Sequence, residues 1–200
     1  MADVVLYATD TMADWEYGYL TAGLAWVEGG PYRLRVLGEG PGPVTTKGRL
    51  RLMTDGGLDE VDEDATALLV LPGADTWAAG HDVALALARR LLARGVPVAA
   101  ICGATYGLAR VGLLDERDHT SNAPDFLLPT GYAGADRYRD APVVEDRDLI
   151  TAGATKPVDF AAAVFRRLDV FPPAVVDAWH GLYTTGKRRY FDDLMATGAA

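Results

Sequence analysis

In its 200 residues the chain has one cysteine, three histidines and no long uninterrupted apolar run. A lone Cys102 excludes an internal disulfide framework and any zinc site built on paired cysteines, and a reducing, intracellular location is the simplest expectation. No apolar stretch reaches the ~18 residues that a bilayer span needs. The opening MADVVLYATDTMADWEYG has no basic region ahead of its short apolar run, so a cytoplasmic protein with no membrane partner is expected. Basic charge is also scarce: 19 Lys and Arg against 28 Asp and Glu leave a net charge of -9. Such a surface repels a phosphate backbone, and the largest basic cluster, GKRRY at 186–190, does not offset it, so nucleic acid is not an expected partner. The histidines His81, His119 and His180 form no pair at metal-ligand spacing with a supporting carboxylate, and neither a metal nor a cofactor is expected. His81 reads as a helix-start histidine near the rim of a sheet edge, and His180 as structural.

What is present is a hydrophobic fraction of 50%, enough for one domain over 1–200. Three short apolar runs, VVLYA (4–8), TALLVLPG (66–73) and VPVAAIC (96–102), fit strands buried on both faces of a parallel sheet. Helical patterns lie between them: 14–26, with Trp15, Tyr19, Ala22 and Trp26 on one face, and 82–94, with Val83, Leu87 and Leu91 behind Asp82 as N-cap. Alternating strands and helices predict an α/β fold, a doubly wound and mostly parallel flavodoxin-like sheet sandwiched by helices. YRLRVLG (32–38) alternates like a strand, VTTKGRLRLMTD suggests a strand pair or an irregular arm, and HTSN (119–122) suggests a short strand. PVVEDRDLITAGA reads as a hairpin turning at 146–148, and Pro157 opens a further helix. After the twin prolines Pro172 and Pro173, an extra C-terminal helical segment over 172–200 is expected to cover a sheet edge or a subunit surface.

Cys102 stands where the third apolar run meets Gly103-Ala104-Thr105 and a helical pattern. A nucleophile at such a strand-to-helix corner needs small neighbours, which Gly103 and Ala104 provide. The same corner puts sulfur at a helix N-terminus, where unpaired N–H groups favour the thiolate and can hold an oxyanion. The competing reading is core packing, since free cysteine behaves as a small buried hydrophobe. LPGAD (71–75) places Gly73 and Ala74 at the same carboxyl edge, where their amides and that of Gly103 could form an oxyanion hole, or simply a β-turn. Asp10, Asp14 and Glu16 follow the first strand on that edge, either as proton-transfer groups or as helix-start acids.

These blocks, ADWE (13–16), LVLPGADTW (69–77), VAAICGATYGLARVGLLDERDHTSN (98–122) and VVEDRDLITAGATKPVDFAAAVFRRL (143–168), resemble the ThiJ/PfpI family of the class I glutamine amidotransferase-like superfamily, in family order. The resemblance implies that Cys102 is the oxidation-prone elbow nucleophile and that Glu16 is the glutamate whose protonated carboxyl hydrogen-bonds to sulfur. It also implies that Gly73 and Ala74 form the turn that supplies oxyanion amides, and that the protein is a homodimer acting on a small-molecule substrate. One departure concerns a histidine that many relatives carry in a Thr-Thr-His context; here the stretch reads Thr120-Ser121-Asn122. Asn122 falls nearest that position, and strand alternation sends His119 to the other side. A Cys102–Glu16 dyad is therefore expected, with Asn122 as a hydrogen-bond partner and with His119 and Trp15 as possible neighbours. Trp77, Tyr106 and the excursion 124–139 are expected above the sulfur. The function implied is a cysteine-dependent hydrolase, amidotransferase-like or glyoxalase-like enzyme, or alternatively an oxidative-stress sensor in which Cys102 is oxidised.

Overall fold

A computed structural model describes residues 1–27 and 29–197. The chain runs β1 (Ala2–Tyr7), α1 (Asp14–Ala25), β2 (Tyr32–Gly38), β3 (Pro43–Thr45), β4 (Arg51–Met53), β5 (Gly56–Gly57), β6 (Thr66–Leu71), α2 (Asp82–Ala93), β7 (Val98–Ile101), α3 (Gly103–Arg110) and the single turn α4 (Pro124–Leu127). It ends with β8 (Val143–Asp146), β9 (Leu149–Ala152), α5 (Pro157–Arg167), α6 (Pro173–Thr185) and α7 (Arg188–Ala196). Seven strands form one sheet in the order β5-β2-β1-β6-β7-β9-β8, parallel except for the β8–β9 hairpin. This is the mostly parallel α/β sheet that the apolar runs predict.

Both faces of the sheet are dry, which is why its strands carry no polar alternation. Val4, Leu6, Leu68, Val70, Ala99 and Ile101 pack with α1, α5 and α6 through Leu20, Phe160, Phe165 and Trp179. Their neighbours in sequence, Val5, Tyr7, Leu69, Leu71, Val98 and Ala100, turn to α2 and α3 through Leu87, Leu91 and Leu108. The central strands β1, β6 and β7 all end at one edge, so the loops after Tyr7, Leu71 and Ile101 converge there.

Several local expectations change. His81, not Asp82, occupies the N-cap position of α2, in a left-handed conformation (φ 61°, ψ 22°), and Asp82 is the first helical residue. The buried face of α2 is Ala84, Leu85, Leu87, Ala88, Leu91 and Leu92, while Val83 is exposed. HTSN makes no strand; it contributes one isolated bridge, His119 to Tyr138. VTTKGRLRLMTD is the antiparallel pair β3–β4. The C-terminal segment is two helices, because Gly186 takes the left-handed conformation (φ 65°) that ends α6. It lies on helices rather than on a sheet edge, with Trp179 of α6 set edge-on to Phe165 and Tyr19. Residues 198–200 of that segment lie outside the described residues.

Candidate active site

Cys102 sits between β7 and α3 at φ 58° and ψ -123°, a conformation that non-glycine residues rarely take and that costs on the order of 1–3 kcal/mol. The corner is pinned from several sides. Its N–H donates to Ala152 O at 2.9 Å, and its carbonyl accepts the Thr105 N–H at 3.1 Å and the Thr105 hydroxyl at 2.6 Å. Thr105 Oγ1 in turn lies 2.6 Å from Ser121 Oγ, tying the elbow to the segment that carries Asn122. The sulfur is half-buried at the start of α3.

Glu16 comes from the first turn of α1, and only 1% of it is exposed. Its Oε2 accepts the Gly73 N–H at 2.6 Å, and its carboxyl faces the Cys102 thiol across Gly73. Oε1 is buried without a partner. The turn after β6 fixes this contact, since Gly73 O accepts the Ala13 N–H at 2.9 Å just ahead of α1. A Cβ on Gly73 would fall 2.7 Å from both Glu16 Oε2 and Cys102 Cβ, so only glycine lets the carboxyl and the thiol meet across this turn. The Gly73 amide is therefore spent on Glu16, which corrects its expected place among the oxyanion donors. Ala74 has no positive φ, so alanine carries no strain there. A Cβ on Gly103 would lie 3.3 Å from Ala74 N and 2.9 Å from Trp77 Cδ1, placing the Gly103 and Ala74 backbones against each other under the indole.

Burial pushes the Glu16 carboxyl up to about 7, against the opposing pull of the Gly73 amide, the thiol and the Lys47 charge. The thiol is also raised, to about 11, first by burial and then by the Glu16 charge, while the Asn122 side chain and the Gly103 amide favour the thiolate. The lowered thiol expected from the helix N-terminus alone is thus reversed. Two acids in one dry contact compete for a single negative charge.

The remaining candidates separate cleanly. Asn122 reaches the site, with Nδ2 3.5 Å from Cys102 Sγ and Oδ1 accepting the Ala154 N–H at 2.8 Å. His119 does not: it is fully buried, with Nδ1 2.8 Å from Arg117 O and Nε2 3.1 Å from Tyr132 Oη. Asp10 and Asp14 accept the Thr45 and Gly48 N–H groups and hold the β3–β4 arm. Trp15 is half exposed on the outer face of α1, lining a groove with Tyr19, Trp26, Trp179 and Tyr183. Trp77 lies beneath the elbow, its Nε1 donating to Pro72 O at 2.9 Å, and Tyr106 packs on Phe126. His180 bonds Asp159 at 2.9 Å. Among the described residues no three His, Cys, Asp or Glu side chains converge as metal ligands, and no helix is long and apolar enough to cross a membrane. Sequence reasoning missed Thr105 and Ser121, whose hydroxyl pair braces the elbow, and Lys156, which stands beyond Asn122. Only the Pro157 that follows it, marking Lys156 as a helix N-cap, hinted at its position.

Comparison with known proteins agrees with this fold. The family model described as "DJ-1/PfpI family" matches residues 2–167. The "Uncharacterized protease YoaZ" of Bacillus subtilis (strain 168) is 39% identical, covering 97% of this chain and 96% of its own. The "Uncharacterized protease YdeA" of the same organism is 27% identical over 88% of each. Among solved structures, a thiJ/pfpI family protein from Bacillus anthracis superposes with a TM-score of 0.92 at 38% identity, covering 97% of this chain and 95% of its own. The chain belongs to the DJ-1/PfpI family.

Proposed function

We propose that this protein is a cysteine-dependent enzyme acting on a small carbonyl or amide electrophile, with Cys102 as nucleophile and Glu16 as its proton acceptor. The carrying observation is a buried carboxyl brought up against the thiol across Gly73, where a Cβ would fall 2.7 Å from Glu16 Oε2 and 2.9 Å from Cys102 Sγ. A base poised near neutrality is what a thiol raised by burial needs. As Sγ attacks the carbonyl carbon, its proton passes to Glu16, which discharges the carboxylate that had opposed the thiolate. The negative charge then moves to the substrate oxygen, where the amides of Ala74 and Gly103 are the available donors. With an amide, Glu16 gives the proton to the departing amine and water then frees the acyl group from sulfur; with an aldehyde, the proton goes to the oxyanion. The word protease in the names of the two Bacillus subtilis relatives supports hydrolytic chemistry. A half-buried thiol would equally serve an oxidant sensor; a cavity adjoining Asn122 favours the enzyme.

The test is the rate of Cys102 alkylation by iodoacetamide against pH, in wild type and in Glu16→Gln. With one thiol the signal needs no site assignment. Wild type should gain its full reactivity only toward pH about 11, because the first proton, lost near pH 7, leaves Glu16 and not the thiol. Glu16→Gln should lower the midpoint, since the charge that opposes the thiolate is gone, yet leave it above the unperturbed value of about 8.5 because burial remains. An unreactive thiol, or the same midpoint in both proteins, would return Cys102 to core packing.

A further inference from the structure

Asn122 joins the thiol to a second space. Beside its 3.5 Å contact with Cys102 Sγ, it lines a cavity of about 610 Å³ together with Ser121, Pro124, Tyr138, Asp140 and Lys156. That is the size of a small-molecule site. The loop 153–156 forms one wall and is fixed to Asn122 by the Ala154 N–H bond. Lys156 closes this loop: its N–H donates to Gly153 O at 3.0 Å, and its carbonyl accepts the Phe160 N–H at 2.9 Å as α5 begins. The backbone of the lysine is thereby anchored beside the cavity.

The charge in this cavity lacks a counterpart. Lys156 is half-buried and makes no ion pair among the described residues. Lys47, the other lysine of this sheet edge, is already committed to Asp75 at 2.6 Å. An ammonium that has lost part of its hydration without gaining a partner favours an incoming anion. Asp140, the acidic residue of the lining, is exposed and lies outside ion-pair distance of Lys156, so solvent and salt screen it. The start of α5 adds positive potential at the same wall.

We propose that Lys156 binds a carboxylate of the substrate, so that the enzyme prefers acid-bearing carbonyl or amide compounds to neutral aldehydes and amides. This rests on the reading of Cys102 as nucleophile. The carboxylate would occupy the cavity, and the reacting carbon would lie past Asn122 at the sulfur.

Two alkylating reagents of nearly equal size separate the ideas: N-iodoacetylglycine, whose carboxylate stands several bonds from the reacting carbon, and its neutral amide. The readout is the ratio of their second-order rates at pH 8 and low ionic strength, which cancels changes in the thiol itself. In an acidic protein the ratio should disfavour the carboxylate reagent unless a local cation recruits it. We expect Lys156→Met to lower the ratio by about tenfold, Lys156→Glu to lower it further, and Lys156→Arg to preserve it, with the wild-type preference weakening as salt is added. An equal ratio in wild type and Lys156→Met overturns the carboxylate site while leaving the dyad standing. A thiol inert to both reagents overturns the dyad and this proposal with it.

Discussion

Two polar clusters, one around buried His81 and one around buried Glu16, lie at the carboxyl edge of the sheet, and they are built differently. In the first, Tyr7 Oη and Thr76 Oγ1 each lie 2.9 Å from a ring nitrogen of His81, whose imidazole stacks on Trp77 at 4.2 Å between centroids. Both ring nitrogens are satisfied, and burial holds His81 below its ordinary pKa, which suits a neutral ring with one donor and one acceptor. In the second, Glu16 Oε1 has no partner, Asn122 meets the sulfur at 3.5 Å, and burial disfavours both ionised groups. His81 and Cys102 both have positive φ, yet His81 sits in the ordinary left-handed well and Cys102 outside it. The closed cluster has its hydrogen bonds made, whereas the open one keeps unpaired polar groups, which on the proposed function would meet a reacting partner.

The largest expected effect comes from closing the open cluster. A carboxyl whose folded pKa of about 7 lies above its unfolded 4.5 binds its proton more tightly in the native state. Its contribution to stability is whole below pH 4.5 and is lost as pH rises through about 7, a change of about 3 kcal/mol. Glu16→Gln, neutral and of the same shape, should therefore match wild type near pH 4.5 and exceed it by about 3 kcal/mol above pH 7 in urea unfolding. Parallel pH profiles for the two proteins would show that Glu16 is not held uncharged by its site.

Much of the framework was legible in the sequence because it rests on local pattern. The doubly buried strands appear as continuous apolar runs, α5 begins at Pro157, and the β8–β9 hairpin turns at Asp146-Arg147-Asp148. The faces of α1 were not. The pattern puts Trp15, Tyr19, Ala22 and Trp26 on one face without saying which way it turns, and Trp15 is 51% exposed and Trp26 44%, while Glu16, Leu20 and Gly23 are inside. Gly23 carries no hydrophobic signal, but its missing side chain is the space that the Phe165 ring fills. At the site, Cys102, Glu16 and Asn122 were readable from position and resemblance. The Gly73 amide's commitment to Glu16 and the raised thiol were not, because both depend on how deeply tertiary packing buries the carboxyl. Lys156 escaped notice for a similar reason: whether a lysine is paired is a property of its neighbours in space.

A smaller effect should come from opening the closed cluster. Tyr7→Phe removes the hydroxyl from His81 Nδ1 and leaves a buried ring nitrogen unsatisfied, at a cost of about 1–2 kcal/mol. The alkylation midpoint of Cys102 should stay where it is in wild type. Loss of stability together with a moved midpoint would mean that the two clusters act as one network.

The smallest effect belongs to Asn122, and it decides what the open cluster does for the sulfur. Its amide is exposed, and at 3.5 Å its contact with Sγ is long, so solvent can replace much of it. The contact nevertheless favours the thiolate, and the same side chain holds the Ala154 N–H of the wall that carries Lys156. Asn122→Ala should raise the alkylation midpoint by about half a pH unit and cost at most about 1 kcal/mol of stability. Asn122→Asp should raise the midpoint further, because a carboxylate beside a forming thiolate opposes it. If both variants titrate like wild type, the sulfur depends on Glu16 and the Gly103 amide alone, and Asn122 serves only to hold the cavity wall in place.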